Sequence, residues 1–217
     1  MKLKEKVGEM DQIFRELHKI SDLLLSNKRF LHIKSCVDFA VQLAKIHEVD
    51  EDRVAVAGFA HDIFRDVKPD VLLRMAVAYR IRITKLERLN PILLHGKIAA
   101  EFVKRRFNLR DREILQAIAY HTSGKENLAD IGKIVFLSDS LEENRIYDNI
   151  NWLRQVAKQD LNQALFLIVE NKIQYAIKRG LFILPETVRM WNWLIELQKG
   201  NSNWNWRGSA VDLNKSK

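Results

Sequence analysis

The sequence is poor in the residues that break or cross-link a chain. Its 217 residues hold one cysteine, Cys36, so an internal disulfide is excluded, and with it a small disulfide-stapled secreted scaffold. Three prolines and eight glycines leave few places where a helix is forced to stop. No segment approaches the roughly 20 apolar residues a membrane-spanning helix needs. Met1 to Met10 is charged and lacks an apolar stretch, so it does not read as a secretory signal. The expectation is a cytoplasmic protein without a membrane partner. What is present is ordinary globular material, 47% hydrophobic and 29% charged, in a chain long enough for one domain with a sizeable core.

Lys and Arg number 36 against 28 Asp and Glu, a formal net charge of +8. The basic residues are spread along the chain (Arg80, Arg82, Lys85, Arg88, then Lys104, Arg105, Arg106) without one long block. Such a surplus fits plain solubility, attraction of a polyanionic small molecule, or a nucleic-acid footprint, and charge does not choose among them.

Apolar residues recur at three- and four-residue spacing over long stretches, which predicts helices joined by short turns. The first is expected from Glu9 to Ser26, with Ile13, Leu17, Ile20 and Leu24 on one face, and the second from Lys28 to Glu48, with Val37, Val41 and Ala44 in its stripe. Asp50 should cap a third helix that continues through Ala55, Phe59 and Ile63. Pro69 opens a short helix, and Pro91 starts one reaching Phe107. Further helices follow over Asp111–His121, Leu128–Glu143, Gln159–Arg179 (closed by Gly180) and Pro185–Lys199, with Asp130 as an N-cap. No strand alternation and no internal repeat is found, so the fold class is all-α. The expected organisation is an N-terminal helical extension over 1–27, a helical-bundle domain over 28–199, and a flexible tail over 200–217 that carries Trp204 and Trp206. Trp191, Trp193 and Phe182 are expected to pack rather than to stack on a base.

The chemistry-bearing residues are scattered singly. His61 and Asp62 follow the small apolar run Ala57-Gly58-Phe59-Ala60, and a buried ionised Asp is costly unless it is paired or binds a metal. His32, His95 and His121 each adjoin apolar helical sequence, and Asp139 sits in Phe136-Leu137-Ser138-Asp139. Helical bundles build metal sites from inward-pointing residues of this kind on facing helices. Imidazole nitrogens suit Fe, Mn, Co or Zn, and an aspartate can bridge two ions. Four histidines and two aspartates would crowd one ion but suit two, leaving room for water and substrate. His18 and His47 fall outside the series and are expected to be ordinary helix-surface residues.

The ordered series His32, His61-Asp62, His95-Gly96, His121-Thr122 and Asp139 resembles the HD superfamily of metal-dependent phosphohydrolases. The stretches His121-Thr122-Ser123-Gly124 and Asp139-Ser140-Leu141-Glu142-Glu143-Asn144-Arg145 are similar to its YqeK branch, the bacterial symmetrical bis(5′-nucleosyl)-tetraphosphatases. The resemblance spans roughly residues 28 to 193. It implies an HD helical bundle and hydrolysis of diadenosine tetraphosphate to two ADP, with two divalent ions, iron first and Mn, Co or Zn as alternatives. It implies that Asp62 bridges the ions, that His32, His61 and Asp139 complete one position, and that His95 and His121 complete the other. Thr122, Glu142 and Arg145 match substrate-side positions. A lysine common in the family is Arg65 in this chain, and Lys68, one turn on, is a possible substitute. Arg65 follows His61 by four residues and Asp62 by three, so all three share a face if the helix continues that far. The expected reaction is attack of a metal-bound hydroxide on an inner phosphorus, with Asp62 and Arg65 as the catalytic pair. The partner is then a dinucleoside polyphosphate rather than a nucleic acid, and a homodimer stays open. Alternatives are an HD phosphohydrolase acting on a mononucleotide or cyclic dinucleotide, and a non-catalytic nucleotide- or RNA-binding regulator.

Overall fold

A computed structural model of the chain describes residues 2–200. Among these residues there are helices and turns but no strand. The expected tail at 200–217 lies outside the described residues except for Gly200, the last residue of the final helix.

The first three helices, α1 (Lys2–Leu24), α2 (Asn27–Ile46) and α3 (Glu51–Ala60), pack side by side. Helix α1 begins earlier than its apolar stripe suggested, and it buries Met10, Ile13, Leu17 and Ser21, while Leu24 is exposed. Ser26 caps α2 by accepting the Arg29 amide, and Asp50 caps α3 by accepting that of Arg53, as its position before two acidic residues predicts. From Val56 to Ala60 every residue of α3 is buried, so this short helix is the central rod of the bundle.

Helix α3 ends at Ala60 rather than continuing through Ile63. Beyond it the chain runs in turns with bonds from Ile63 to Ala60, Arg65 to Asp62 and Val67 to Phe64. Arg65 therefore does not follow His61 and Asp62 along one helical face. Helix α4 (Pro69–Ala78) begins at its proline as expected. The expected helix from Pro91 to Phe107 divides into two elements, and an unforeseen short helix precedes them. A short α5 (Lys85–Leu89) is opened by a Thr84–Glu87 capping box, and a 3-10 turn, Pro91–Leu94, leads into α6 (His95–Arg106).

Asp111 caps α7 (Arg112–Tyr120), and α8 (Asp130–Leu141) starts after Ala129, so Asp130 is its first residue and not its cap. Helix α9 (Ile150–Gln159) was not foreseen. It precedes α10 (Leu161–Lys178) and α11 (Pro185–Gly200). Helices α2, α3, α7 and α8 surround the site, α6 lies on α7, and α9 and α10 brace α8. Trp191 and Trp193 pack against the core, whereas Phe182 is 67% exposed and does not. His47 is more than a surface residue, since its Nε2 bonds the Ala157 carbonyl at 2.8 Å and ties α2 to the end of α9.

Candidate metal centre

Three of the four histidines stand where a helix begins or ends. His61 directly follows α3, His95 opens α6, and His121 directly follows α7. Each turns its Nδ1 back to the carbonyl three residues earlier: His61 to Gly58, His95 to Ile92, and His121 to Ile118 at 2.8 Å. A carbonyl only accepts, so Nδ1 carries the proton and Nε2 is left as a lone pair. His32, inside α2, does the same through a carboxylate, its Nδ1 lying 3.2 Å from Glu142 Oε1. The rings of His61, His95 and His121 thus present the same unprotonated atom inward, and His32 turns its Nε2 to the same group.

What they face is Asp62. Its Oδ1 is 3.0 Å from His95 Nε2 and 3.4 Å from His121 Nε2. Its Oδ2 is 3.8 Å from His32 Nε2 and 3.7 Å from His61 Nε2. Each carboxylate oxygen therefore serves one histidine pair. Asp139, on α8, reaches the same group, with Oδ1 3.2 Å from His32 Nε2. Close approach of α6 to His121 needs Gly96, because a Cβ there would lie 2.9 Å from the Ile118 carbonyl and 3.1 Å from the His121 ring.

The electrostatics fit a cation site. Burial drives the His61 imidazole down to about 4 against the pull of Asp62, and burial also lowers His95. Burial opposes ionisation of Asp62, but the imidazoles of His61, His121 and His95 outweigh it and hold the carboxyl well below its usual range. Burial likewise opposes ionisation of Asp139, which the His32 hydrogen bond and the Lys172 ammonium overcome. His32 is raised, since Asp139 outweighs the effect of burial. The three rings held by carbonyls also lack a proton on the inward nitrogen. His95 Nε2 and His121 Nε2 are 2.9 Å apart although both rings have spent Nδ1–H on carbonyls, and the buried His61 Nε2 has no hydrogen-bond partner. Lone pairs and carboxylates converging without hydrogens suit divalent metal ions. Ring nitrogens and a carboxylate oxygen of His61, Asp62 and His121 lie within 4.8 Å of one another, and so do the ligand atoms of His32, Cys36, His61 and Asp139.

The other sequence-singled residues divide. Thr122 Oγ1 is 2.9 Å from His121 Nε2. Glu142 is buried, accepts the Asn144 amide at 2.7 Å, and orients His32. Arg145 bonds Asp139 Oδ1 at 3.0 Å. Arg65 is half-buried and Lys68 exposed, and neither side chain makes a hydrogen bond or ion pair to the cluster.

Two supporting residues escaped the sequence reading. Arg29 Nη1 lies 2.7 Å from Asp62 Oδ2, an ion pair whose only sequence signal is its place one turn before His32. Arg154, on α9, donates to the Leu141 and Glu142 carbonyls, both at 2.7 Å, and so holds the end of α8 and the loop bearing Glu142 and Arg145. Nothing in its local sequence marks it.

Two grooves meet at this loop. One, of about 820 Å³, is lined by Lys28, Arg29, His32, Lys34 and Arg145 among others. The other, of about 850 Å³, is lined by Asp139, Arg145, Tyr147, Lys172 and Tyr175 among others. No described helix is long and apolar enough to cross a membrane.

Residues 29–144 match the model of the HD domain family. The chain is 29% identical over 171 residues to a symmetrical bis(5′-nucleosyl)-tetraphosphatase of Bacillus subtilis, covering 79% of this chain and 91% of that protein. It is 30% identical over 177 residues to the same-named protein of Halalkalibacterium halodurans, covering 81% and 93%. Among solved structures, a predicted HD superfamily hydrolase involved in NAD metabolism from Clostridium acetobutylicum is similar with a TM-score of 0.79 and 30% identity, covering 83% of this chain and 97% of that one.

Proposed function

The chain belongs to the HD domain family, and on that premise we propose that it is a phosphohydrolase that splits diadenosine tetraphosphate symmetrically into two molecules of ADP. One observation carries the reading: a buried carboxylate, Asp62, offers one oxygen to each of two pairs of histidines whose Nε2 atoms all face it. The donor set suits Fe, Mn, Co or Zn, of which the family resemblance implies iron, and two such divalent ions held there would supply Lewis acidity and lower the pKa of bound water.

Asp62 would bridge the two metal positions, with His32, His61 and Asp139 completing one of them and His95 and His121 the other. Gly58, Ile92 and Ile118 carbonyls and the Glu142 carboxylate fix the rings so that none must rotate before binding. Arg29 and Arg145, each already against a carboxylate of the cluster, draw phosphoryl oxygens towards it and balance charge that develops on them. Arg65 and Lys68 carry no competing ion pair and extend the same positive rim towards a long polyphosphate. The Thr122 hydroxyl donates to a phosphoryl oxygen or keeps His121 in register. Because Arg145 lines both grooves, a substrate with a nucleoside at each end can span the centre with its middle phosphates on the cluster. Tyr147 and Tyr175 offer ring faces to one base.

The test is product analysis with metal-loaded protein. Water adding to one inner phosphorus of diadenosine tetraphosphate, with cleavage of its bond to the oxygen it shares with the other inner phosphorus and ADP as leaving group, yields ADP alone, two per substrate. Formation of ATP and AMP, or release of inorganic phosphate from a mononucleotide with no attack on the dinucleotide, would overturn the assignment. Asp62→Ala should abolish turnover while circular dichroism still reports a helical fold.

A further inference from the structure

We propose that Cys36 is a ligand at the metal position formed by His32, His61 and Asp139, which makes that position a mixed nitrogen, oxygen and sulfur site. The proposal rests on the metal-centre reading above, whose ligand series comprises only histidines and aspartates.

Cys36 follows His32 by one turn on α2 and is buried, so its side chain rises on the same face towards the cluster. Its Sγ lies 3.6 Å from His32 Nε2 and 3.8 Å from His32 Nδ1. With Asp62 shared, the ion would be five-coordinate, and two neighbouring donors on it, a nitrogen at about 2.0 Å and a sulfur at about 2.3 Å, stand ~3.0–3.7 Å apart. Sγ, a nitrogen of each of His32 and His61, and an Asp139 oxygen are all within 4.8 Å of one another, so a single ion can reach the four. A second observation points independently to a ligand in this place. His61 Nε2 is fully buried, has its Nδ1 proton committed to Gly58, and finds no hydrogen-bond partner. Among the described residues the other hydrogen bond of Sγ runs to the Ser138 carbonyl at 3.6 Å, which is weak enough for a thiol to surrender. On binding, the thiol proton leaves to solvent and the sulfur lone pair goes to the ion.

A thiolate at one position and none at the other makes the two positions chemically unequal. The Cys36 position then favours zinc, cobalt or ferrous iron over manganese or magnesium, whose oxygen-loving chemistry gains nothing from sulfur.

The chain has one cysteine, so any thiolate signal has one source. Full-length wild type, Cys36→Ser and Cys36→Ala would be loaded with zinc or cobalt(II). X-ray absorption at the zinc edge should show a sulfur neighbour at about 2.3 Å in the wild type. The cobalt form should carry a near-ultraviolet sulfur-to-metal charge-transfer band. Both signals should vanish in the two variants, and zinc affinity at one position should fall about tenfold while manganese affinity stays near that of the wild type. A wild-type zinc shell of nitrogen and oxygen alone, with ions bound, overturns the proposal and leaves the histidine and aspartate centre standing. Failure of the wild type to bind any ion tightly overturns the centre and the proposal together. If both variants fail to fold, the wild-type zinc shell alone decides.

Discussion

Replacing Gly96 by alanine tests whether the site is built by helix approach. The added Cβ would sit 2.9 Å from the Ile118 carbonyl oxygen and 3.1 Å from His121 Cε1 and Nδ1. The obstruction is backbone and a ligand ring, not the free end of a flexible side chain, so α6 and the end of α7 must separate. Overpacking of this kind costs about 1–3 kcal/mol. Alanine returns up to about 1 kcal/mol as the better helix former, so the net loss is about 0–3 kcal/mol. The larger effect is local. The crowded oxygen is the acceptor of His121 Nδ1–H, and losing an orienting partner of a ligand histidine costs about 10–100-fold in metal affinity. Metal titration followed by calorimetry should show one position weakened by that factor, the one with His95 and His121, and the other nearly intact. Urea unfolding supplies the stability change. Wild-type affinity at both positions together with unchanged or raised stability would mean that the helices do not meet here as described.

Arg29→Ala removes the guanidinium from Asp62, a charge-assisted contact worth about 2 kcal/mol. Metal should then bind as tightly or up to about tenfold more tightly while kcat falls; unchanged turnover would refute a role on phosphate. Arg154→Ala frees two carbonyls of the Glu142–Arg145 region and should raise KM about tenfold with a stability loss of roughly 2 kcal/mol; a purely structural role would lower stability and leave KM alone. The metal-free protein should lose stability as pH falls. His61 has a folded value of about 4 against 6.5 unfolded, so the unfolded chain takes up its proton first, and up to about 3 kcal/mol disappears between those values. His95, also lowered by burial, acts in the same direction, and His32, raised, opposes it. Urea unfolding at several pH values checks this, and a flat profile across that window refutes it.

The all-α fold and the convergence of six scattered residues were legible because both are written in local pattern. Apolar periodicity gave α2 and α10 nearly whole, and Asp50, Asp111, Pro69 and Pro185 marked helix starts through capping and fixed φ. The end of α3 was not legible. Apolar sequence continues through Ile63 and Phe64, and only the His61 ring, by competing for the Gly58 carbonyl, shows that helical bonding stops. Helix α9 escaped because Ile150, Leu153, Val156 and Ala157 make a stripe only one helix long with no strong cap. Arg29 and Arg154 escaped because an arginine's partner lies across the fold, 33 residues away for the Arg29–Asp62 pair. Cys36 escaped because a lone cysteine is read for disulfides, and its neighbours are brought by α3 and α8.

The pairing of each terminal histidine with a carbonyl of its own turn has a consequence for how such a chain tolerates change. Aim is set inside four-residue units, Gly58–His61, Ile92–His95 and Ile118–His121, and does not depend on the connectors between them. A residue added between Lys68 and Asn90 shifts helices at the rim and leaves every inward nitrogen pointing as before. A residue added within one of the three units turns its ring away. The centre is thus modular in sequence, free to acquire new rims for new substrates while the aim of its ligands is inherited unchanged.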